Sequence, residues 1–361
     1  MVRRSAVSLG RSCDSACLFC AQRGLEPRTS SDVEVRRSLD EARAGGSAGV
    51  TFVGGEPAID GRLEALVTRA RQLGLARVGV QTNGWALGEA GRVEALARAG
   101  LTDVHLSIHG AEARVHDWHV GRAGAFEAAM RTWAAARAAA LDVVVATVLT
   151  RSTFRALTPM PRMLASRGAA GWCIEVPRWR GDAARAADRV VPRLALALPF
   201  ALHAIDAAEA LGLPAFVRGA PSCLLGPWAA RALDADRRDY GTACRGCPSR
   251  DGCVGVDAEY LARFGEGELA ACALTKRDDR HAEVRAMFVG PGEMAPVSAV
   301  AVAPSPERAR VALPMLGRPA PAKGEVPASS PKQTGEALRA IFPGLFEGEA
   351  GGKEGEPTGK P

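Results

Sequence analysis

The stretch GVTFVGGEPAIDGRLEALVTRARQLGLARVGVQTNG, residues 49–84, reads as one complete strand–helix–strand unit. Gly49–Val53 is a short β-rich run, and Val78–Thr82 is another. Between them, residues 61–73 form an amphipathic stretch that stops at Gly74, a residue suited to the left-handed position that ends a helix. Two strands joined through a helix must pair in parallel, because the crossover returns the chain to the same end of the sheet.

Working outward, the same unit recurs. Strands are predicted at Arg4–Leu9, Asp103–Ile108, Asp142–Leu149 and Gly171–Val176, and helices over 32–44, 89–99, 122–140 and 154–167. Ser31-Asp32-Val33-Glu34 opens the first helix with a capping box, and Gly45, Gly100 and Gly168 fit left-handed stop positions. Six such repeats make an α/β protein, either a doubly wound sheet or part of a (β/α) barrel. In both, chemistry gathers at the carboxyl ends of the strands. A long helix follows over Pro192–Leu211, then a compact cysteine-bearing region at about 215–275. From Gly290 onward Pro, Gly, Ala and Ser dominate, which predicts a disordered tail. One amphipathic segment near 334–347, with Leu338, Ile341, Phe342 and Leu345, either docks or forms only transiently.

The chain has 361 residues and a formal net charge of +6. Only five of its 46 basic residues are lysine, and the arginines are scattered along Ala-rich stretches rather than massed in a stripe. This argues against nucleic acid as a partner. No run of apolar residues is long enough to span a membrane, and nothing resembles a signal peptide, so the expected compartment is the cytoplasm. There, nine cysteines point to metal or redox chemistry rather than disulfides.

Three of the nine lie together just after the first strand, in Cys13-Asp-Ser-Ala-Cys17-Leu-Phe-Cys20. Thiolates are soft ligands that select zinc or iron–sulfur clusters. Three of them suit a four-iron cube whose fourth iron stays open, while a zinc knuckle completed by a distant histidine is the plainer reading. With Phe19 before the last cysteine, this motif resembles the signature of the radical S-adenosylmethionine (radical SAM) superfamily. Further strand-end motifs resemble that family in the same order. They are Gly54-Gly55-Glu56-Pro57, Gln81-Thr82-Asn83-Gly84, Leu106-Ser107-Ile108-His109-Gly110, His116-Asp117 with Gly121 through Phe126, and Val148-Leu149-Thr150-Arg151.

The resemblance, over about residues 5–180, implies a partial (β/α)6 TIM-type barrel. It implies a 4Fe–4S cluster with an open site on Cys13, Cys17 and Cys20. It places S-adenosylmethionine against Gly54, Gly55, Glu56, Pro57, Thr82, Asn83, Ser107 and Arg151, with Glu56 meeting the methionine ammonium. The implied reaction is reductive cleavage of S-adenosylmethionine to a 5′-deoxyadenosyl radical that abstracts hydrogen from a substrate, fed by a low-potential donor such as ferredoxin or flavodoxin.

Downstream, Cys244-Arg-Gly-Cys247 precedes Cys253 by five residues, with Cys223 before and Cys272 after them. Four thiolates saturate zinc or a second cluster. The spacing resembles part of the auxiliary-cluster modules, SPASM or twitch, that follow many radical SAM barrels. Asp257 stands where the full SPASM pattern has a further cysteine, so one second 4Fe–4S cluster is implied, on Cys223, Cys244, Cys247 and Cys253. Cys272, in an Ala-rich stretch that looks helical, is the alternative fourth ligand. Cys173 alone on the sixth strand reads as a packed core thiol or a hydrogen donor.

These readings divide the chain into a core domain (1–212), an auxiliary module (213–289) and the tail (290–361). In the family this chain resembles, enzymes with such modules often modify peptides or proteins, which implies a peptide or protein substrate. A small-molecule substrate in cofactor or natural-product biosynthesis is the alternative, and a non-catalytic electron carrier is the reading from another class.

Overall fold

Eight strands lie side by side in chain order and every neighbouring pair is parallel. They are β1 (Arg4–Ser8), β2 (Gly49–Val53), β3 (Arg77–Thr82), β4 (Asp103–Ser107), β5 (Asp142–Val148), β6 (Gly171–Glu175), β7 (Ala215–Arg218) and β8 (Ala232–Leu233). The structure, a computed structural model, describes residues 4–288 apart from 234, 237 and 274–279. The predicted tail and its amphipathic segment lie outside the described residues. β1 and β8 remain the two edges, so the curled sheet is a partial TIM-type barrel.

The helices are α1 (Asp32–Ala44), α2 (Leu63–Gln72), α3 (Arg92–Ala99), α4 (Ala113–Val120), α5 (Ala125–Ala138) and α6 (Met160–Ser166). After β6 come two short ones, α7 (Gly181–Arg185) and α8 (Ala187–Val190), then the long α9 (Leu194–Ala210). α10 (Ser222–Leu225), α11 (Ala258–Phe264) and α12 (Ala282–Met287) complete the set. The Ser31–Glu34 capping box forms with both reciprocal bonds. Gly74, Gly100 and Gly168 take positive φ, but Gly45 does not: its φ is −75°, and the left-handed residue is Gly46, one step later.

Six strands match the sequence expectation. The sheet runs past the predicted boundary at residue 212, because β7 and β8 pair onto it. Those strands have four and two residues, too few to display a period.

Strand residues alternate between two environments. Val50, Phe52, Val104, Leu106, Trp172 and Ile174 face the helices and form the main core. Val144, Cys173, Phe216 and Leu233 face inward and pack with Met287 and Phe288, which α12 and its end bring beneath the sheet. Also buried near there is a polar knot: Arg4 donates two bonds to Asp103, at 2.9 and 2.7 Å, and His105 Nε2 lies 2.8 Å from the same carboxylate. With its interior closed at this level, the barrel keeps its carboxyl-end loops for chemistry. No helix among the described residues is long and apolar enough to cross a membrane.

Candidate functional site

The loop after β1 carries Cys13, Cys17 and Cys20, and the loops that follow grip it from several directions. From the β2 end, the Glu56 N–H donates to Ser12 O (2.8 Å) and the Gly55 N–H donates to Gln22 Oε1 (3.0 Å). Gly55 has φ +53°, and a Cβ there would sit 2.0 Å from Ser12 O, so only glycine lets the two loops meet. At the β3 end, Asn83 Nδ2 donates to Asp14 Oδ1 (2.7 Å) and Ser15 Oγ (3.0 Å). Arg122, just past α4, pairs with Asp14 and lies over the Trp85 ring. Ala16 N–H binds Val120 O, and Ala183 N–H at α7 binds Cys20 O. Every one of these contacts is between chain segments far apart in sequence.

The Cys20 sulfur accepts N–H bonds from Gln22 (3.4 Å) and Arg23 (3.2 Å), an arrangement suited to a thiolate. Burial pushes the Cys17 thiol up to about 12, with the negative charges of Cys20 and Cys13 adding to it. Burial raises Cys13 as well. Raised in this way these two thiols are neutral without a metal, and as thiolates the three cysteines form a soft donor set that fits iron or zinc.

Glu56 is 3% exposed and braces the loops. Its carboxylate accepts from Thr82 Oγ1 (2.7 Å), Ala58 N (2.9 Å) and Asn83 N (2.6 Å). Burial pushes it up to about 7, against the pull of those three donors. Glu56, Thr82 and Asn83 are thus one hydrogen-bonded unit, with Gly54 and Gly55 before it and Pro57 beginning the next turn. Ser107 ends β4, half buried. Arg151 is not brought to this unit, since its guanidinium donates to Asp188 O on α8.

A histidine stack beneath the cysteine loop is only partly visible in the sequence. The Phe19 ring lies 4.5 Å from that of His109, which stacks on His116 at 5.8 Å, and His116 in turn meets Phe126. His116 Nδ1 accepts the His109 N–H, and His109 Nδ1 accepts the Val148 N–H. Burial lowers both rings, His116 to about 4. Neighbouring Asp117 caps α5 by accepting from Gly124 and Phe126 N–H. The His116-Asp117 pair signalled this stack, but the α4 helix that carries it was absent from the predicted elements.

The second set is drawn together too. Cys223, Cys244, Cys247, Cys253 and Cys272 line one small, partly open cavity. Gly246, with φ +75°, makes the turn between Cys244 and Cys247. Ser222 and Gly255 N–H groups reach the Cys253 sulfur, both at 3.4 Å, and the Cys272 N–H reaches that of Cys247 at 3.5 Å. Backbone N–H bonds from Cys272 and Ser249 hold the Cys247 thiol below its usual range, whereas burial raises Cys223. One local expectation changes. Cys272 is not helical: its irregular segment is tied to the cysteine turn through Ser249 Oγ and Ala273 O. Cys223 lies in α10.

Cys173 is fully buried on the inner face, where burial raises its thiol. Among the described residues, no group of three or more His, Cys, Asp or Glu is arranged to hold a single metal ion. That bears on single ions, since a cube takes each thiolate on a different iron.

Comparison with known proteins adds four findings. AdoMet-dependent heme synthase of Oleidesulfovibrio alaskensis is 30% identical over 192 residues, 52% of this chain and 49% of that protein. PqqA peptide cyclase of Methylocella silvestris is 32% identical over 163 residues, 44% of this chain and 42% of that protein. The chain therefore spans about half the length of the curated relatives it matches. The crystal structure of Streptococcus suis SuiB bound to precursor peptide SuiA superposes with a TM-score of 0.50 at 15% identity, covering 59% of this chain and 48% of that one, a likeness of fold. Residues 7–154 match the radical SAM superfamily. This segment, from the strand that precedes the cysteine loop to the turn that follows the fifth strand, belongs to the radical SAM superfamily.

Proposed function

We propose that the protein is a radical SAM enzyme carrying a 4Fe–4S cluster on Cys13, Cys17 and Cys20. A reduced cluster of this kind supplies the electron that splits bound S-adenosylmethionine into methionine and a 5′-deoxyadenosyl radical, which takes a hydrogen atom from the substrate. The chain's own residues do the rest. Gly54 and Gly55 let the ligand approach closely, and Glu56 offers a carboxylate lone pair to an ammonium while its other bonds fix the β2 and β3 ends. Thr82 and Asn83 hold that carboxylate and the cysteine loop in one frame, and Ser107 lines the same mouth. Arg151 would contact the cofactor carboxylate or ribose only after leaving Asp188. The supporting observation is the convergence of the β2, β3, α4 and α7 loops on the cysteine loop.

The second thiol set would hold one auxiliary 4Fe–4S cluster on Cys244, Cys247 and Cys253, with Cys223 or Cys272 completing it. It would serve as an electron port or substrate anchor. The substrate is a peptide or protein, a reading favoured by the likeness to a peptide cyclase. The likeness to a heme synthase favours a small molecule instead. The electron donor would be a ferredoxin or flavodoxin, and the cytoplasm suits nine reduced thiols. Anaerobic reconstitution followed by dithionite and S-adenosylmethionine should yield 5′-deoxyadenosine. A yield no higher than that of Cys20→Ala sinks the enzyme reading in favour of an electron carrier. Iron should reach about eight per chain with matching sulfide, whereas about four irons with one zinc makes the second site structural.

A further inference from the structure

Four arginines form a row across the mouth of the barrel. Arg11 stands two residues before Cys13, in the loop after β1. Arg178 and Arg180 follow β6. Arg238 follows β8, and its N–H pairs with Val254 O beside Cys253. Each guanidinium feels the next: Arg180 is repelled by Arg178 and Arg11 and attracted by Asp236, and Arg238 is repelled by Arg178 and attracted by Asp257 and Asp236. The row thus runs from the first cysteine loop to the second cysteine cavity.

Its neutralisation is incomplete. Arg178 pairs with Asp236, and Arg238 pairs with Asp257 at 3.2 Å while also donating to Gly219 O. Asp257 is attracted by both Arg238 and Arg178. Arg11 donates to a backbone carbonyl, that of Glu26, which carries no charge. Arg180 makes no salt bridge with any described residue. Two carboxylates therefore face four guanidinium groups. The pairing is also partly withdrawn from water, with Arg178 and Arg238 keeping 22% and 8% of their side-chain exposure. Arg180 is exposed and Arg11 half-buried, so an incoming anion can reach the two guanidinium groups that lack a carboxylate partner among the described residues.

Resting on the radical SAM reading above, we infer that this row binds a substrate carrying at least two carboxylates and lays it between the two cysteine sites. Arg180 and Arg11 supply the free charge, while Arg178 and Arg238 are held in register by Asp236 and Asp257. Guanidinium forks match carboxylates two bonds at a time, which fixes orientation as well as affinity. The carboxylates could belong to acidic side chains of a peptide or to a polycarboxylate small molecule, and the chemistry of recognition is the same.

The test uses the full chain, reconstituted anaerobically and saturated with S-adenosylmethionine. Its probes are a labelled peptide bearing two glutamates, the same peptide with glutamines, and a tetrapyrrole with free propionates alongside its methyl esters. At least one acid should bind about tenfold or more tightly than its neutral counterpart, and added salt should weaken it. Arg180→Gln should remove about tenfold of that affinity and leave the neutral probe unchanged, with Arg180→Lys falling between. Which acid binds tells a peptide from a small molecule. Equal binding of acid and neutral probes overturns the inference, as does an Arg180→Gln variant that binds like the parent. It is also overturned if the acid preference exists without S-adenosylmethionine and vanishes with it, because the row then serves the cofactor's own carboxylate. Formation of 5′-deoxyadenosine by the parent protein is scored separately, so a failed radical reading and a failed anion site give different results.

Discussion

Glu56 shows what a single side chain does at this site. Its two oxygens accept three hydrogen bonds from Thr82, Ala58 and Asn83, and all of those partners belong to loops that shape the cysteine mouth. Glu56→Ala strands two buried N–H groups and a hydroxyl. The expected loss is about 3 kcal/mol in a urea melt, since each unmet buried donor costs about 1 kcal/mol or more. A loss under half that size would mean the loops do not depend on the carboxylate. The Gly-Gly-Glu-Pro stretch was legible in the sequence as a site element, but its bracing bonds were not, because they run to residues 26 and 27 positions away. The fourth auxiliary ligand was illegible for a similar reason: Cys223 and Cys272 come together only through the fold. A cube with no open iron takes four thiolates, and five line this cavity. One of Cys223→Ser and Cys272→Ser, and not both, should therefore lower iron content by about four per chain. Loss in both variants, or in neither, contradicts a single four-cysteine cluster.

Among elements, α12 is the one whose role is least evident from its own sequence. It has six residues, yet it carries Met287, and Phe288 just past it, under the open sheet against Phe216 and Cys173. Arg218 at the end of β7 fastens it by donating to Phe288 O at 2.8 Å, and Arg285 donates to Ala230 O and Ala232 O. A barrel with two free edges exposes an apolar interior, and this helix covers part of it. Phe288→Ala should cost about 3 kcal/mol of stability, the usual penalty for emptying a buried aromatic site. If the melt shifts by less than about 1 kcal/mol, the helix is an ornament rather than a closure. Helices α1, α2, α3 and α6 announced themselves through an apolar period that runs into a glycine stop, and α5 and α9 through the length of their Ala- and Leu-rich runs. α4 did not, since its eight residues include two histidines, a tryptophan and an aspartate. α12 and strands β7 and β8 escaped because their stability comes from what they pack against, not from a local pattern.

For the whole molecule, the histidines set how folding responds to acid. Four of the six, His105, His109, His116 and His119, are buried, and burial lowers all four below the usual imidazole range. The unfolded chain protonates such a ring near pH 6.5, while the folded chain keeps it neutral, so each one withdraws stability as pH falls through that window. His116 stays neutral until about pH 4 when folded. It should withdraw about 2 kcal/mol between pH 7 and pH 5. Glu56 acts in the opposite sense. With its carboxyl raised to about 7, the folded state takes up a proton before the unfolded state does, so acidification over the same range favours folding through that group. Asp103, held well below the carboxylate range beside His105 and Arg4, contributes stability that is lost only at much lower pH. The overall curve therefore mixes signs, and a single substitution isolates one component. His116→Gln should destabilise the protein at pH 7 by removing the ring that accepts the His109 N–H and stacks on the His109 ring. At pH 5 that penalty should shrink by about 2 kcal/mol, because the parent loses that stability on acidification and the variant, with no titrating ring at this position, does not. Denaturant melts of parent and variant at both pH values measure the difference directly. A penalty that stays constant with pH would show that His116 titrates alike in folded and unfolded chains, and that the stack under the cysteine loop does not exclude charge.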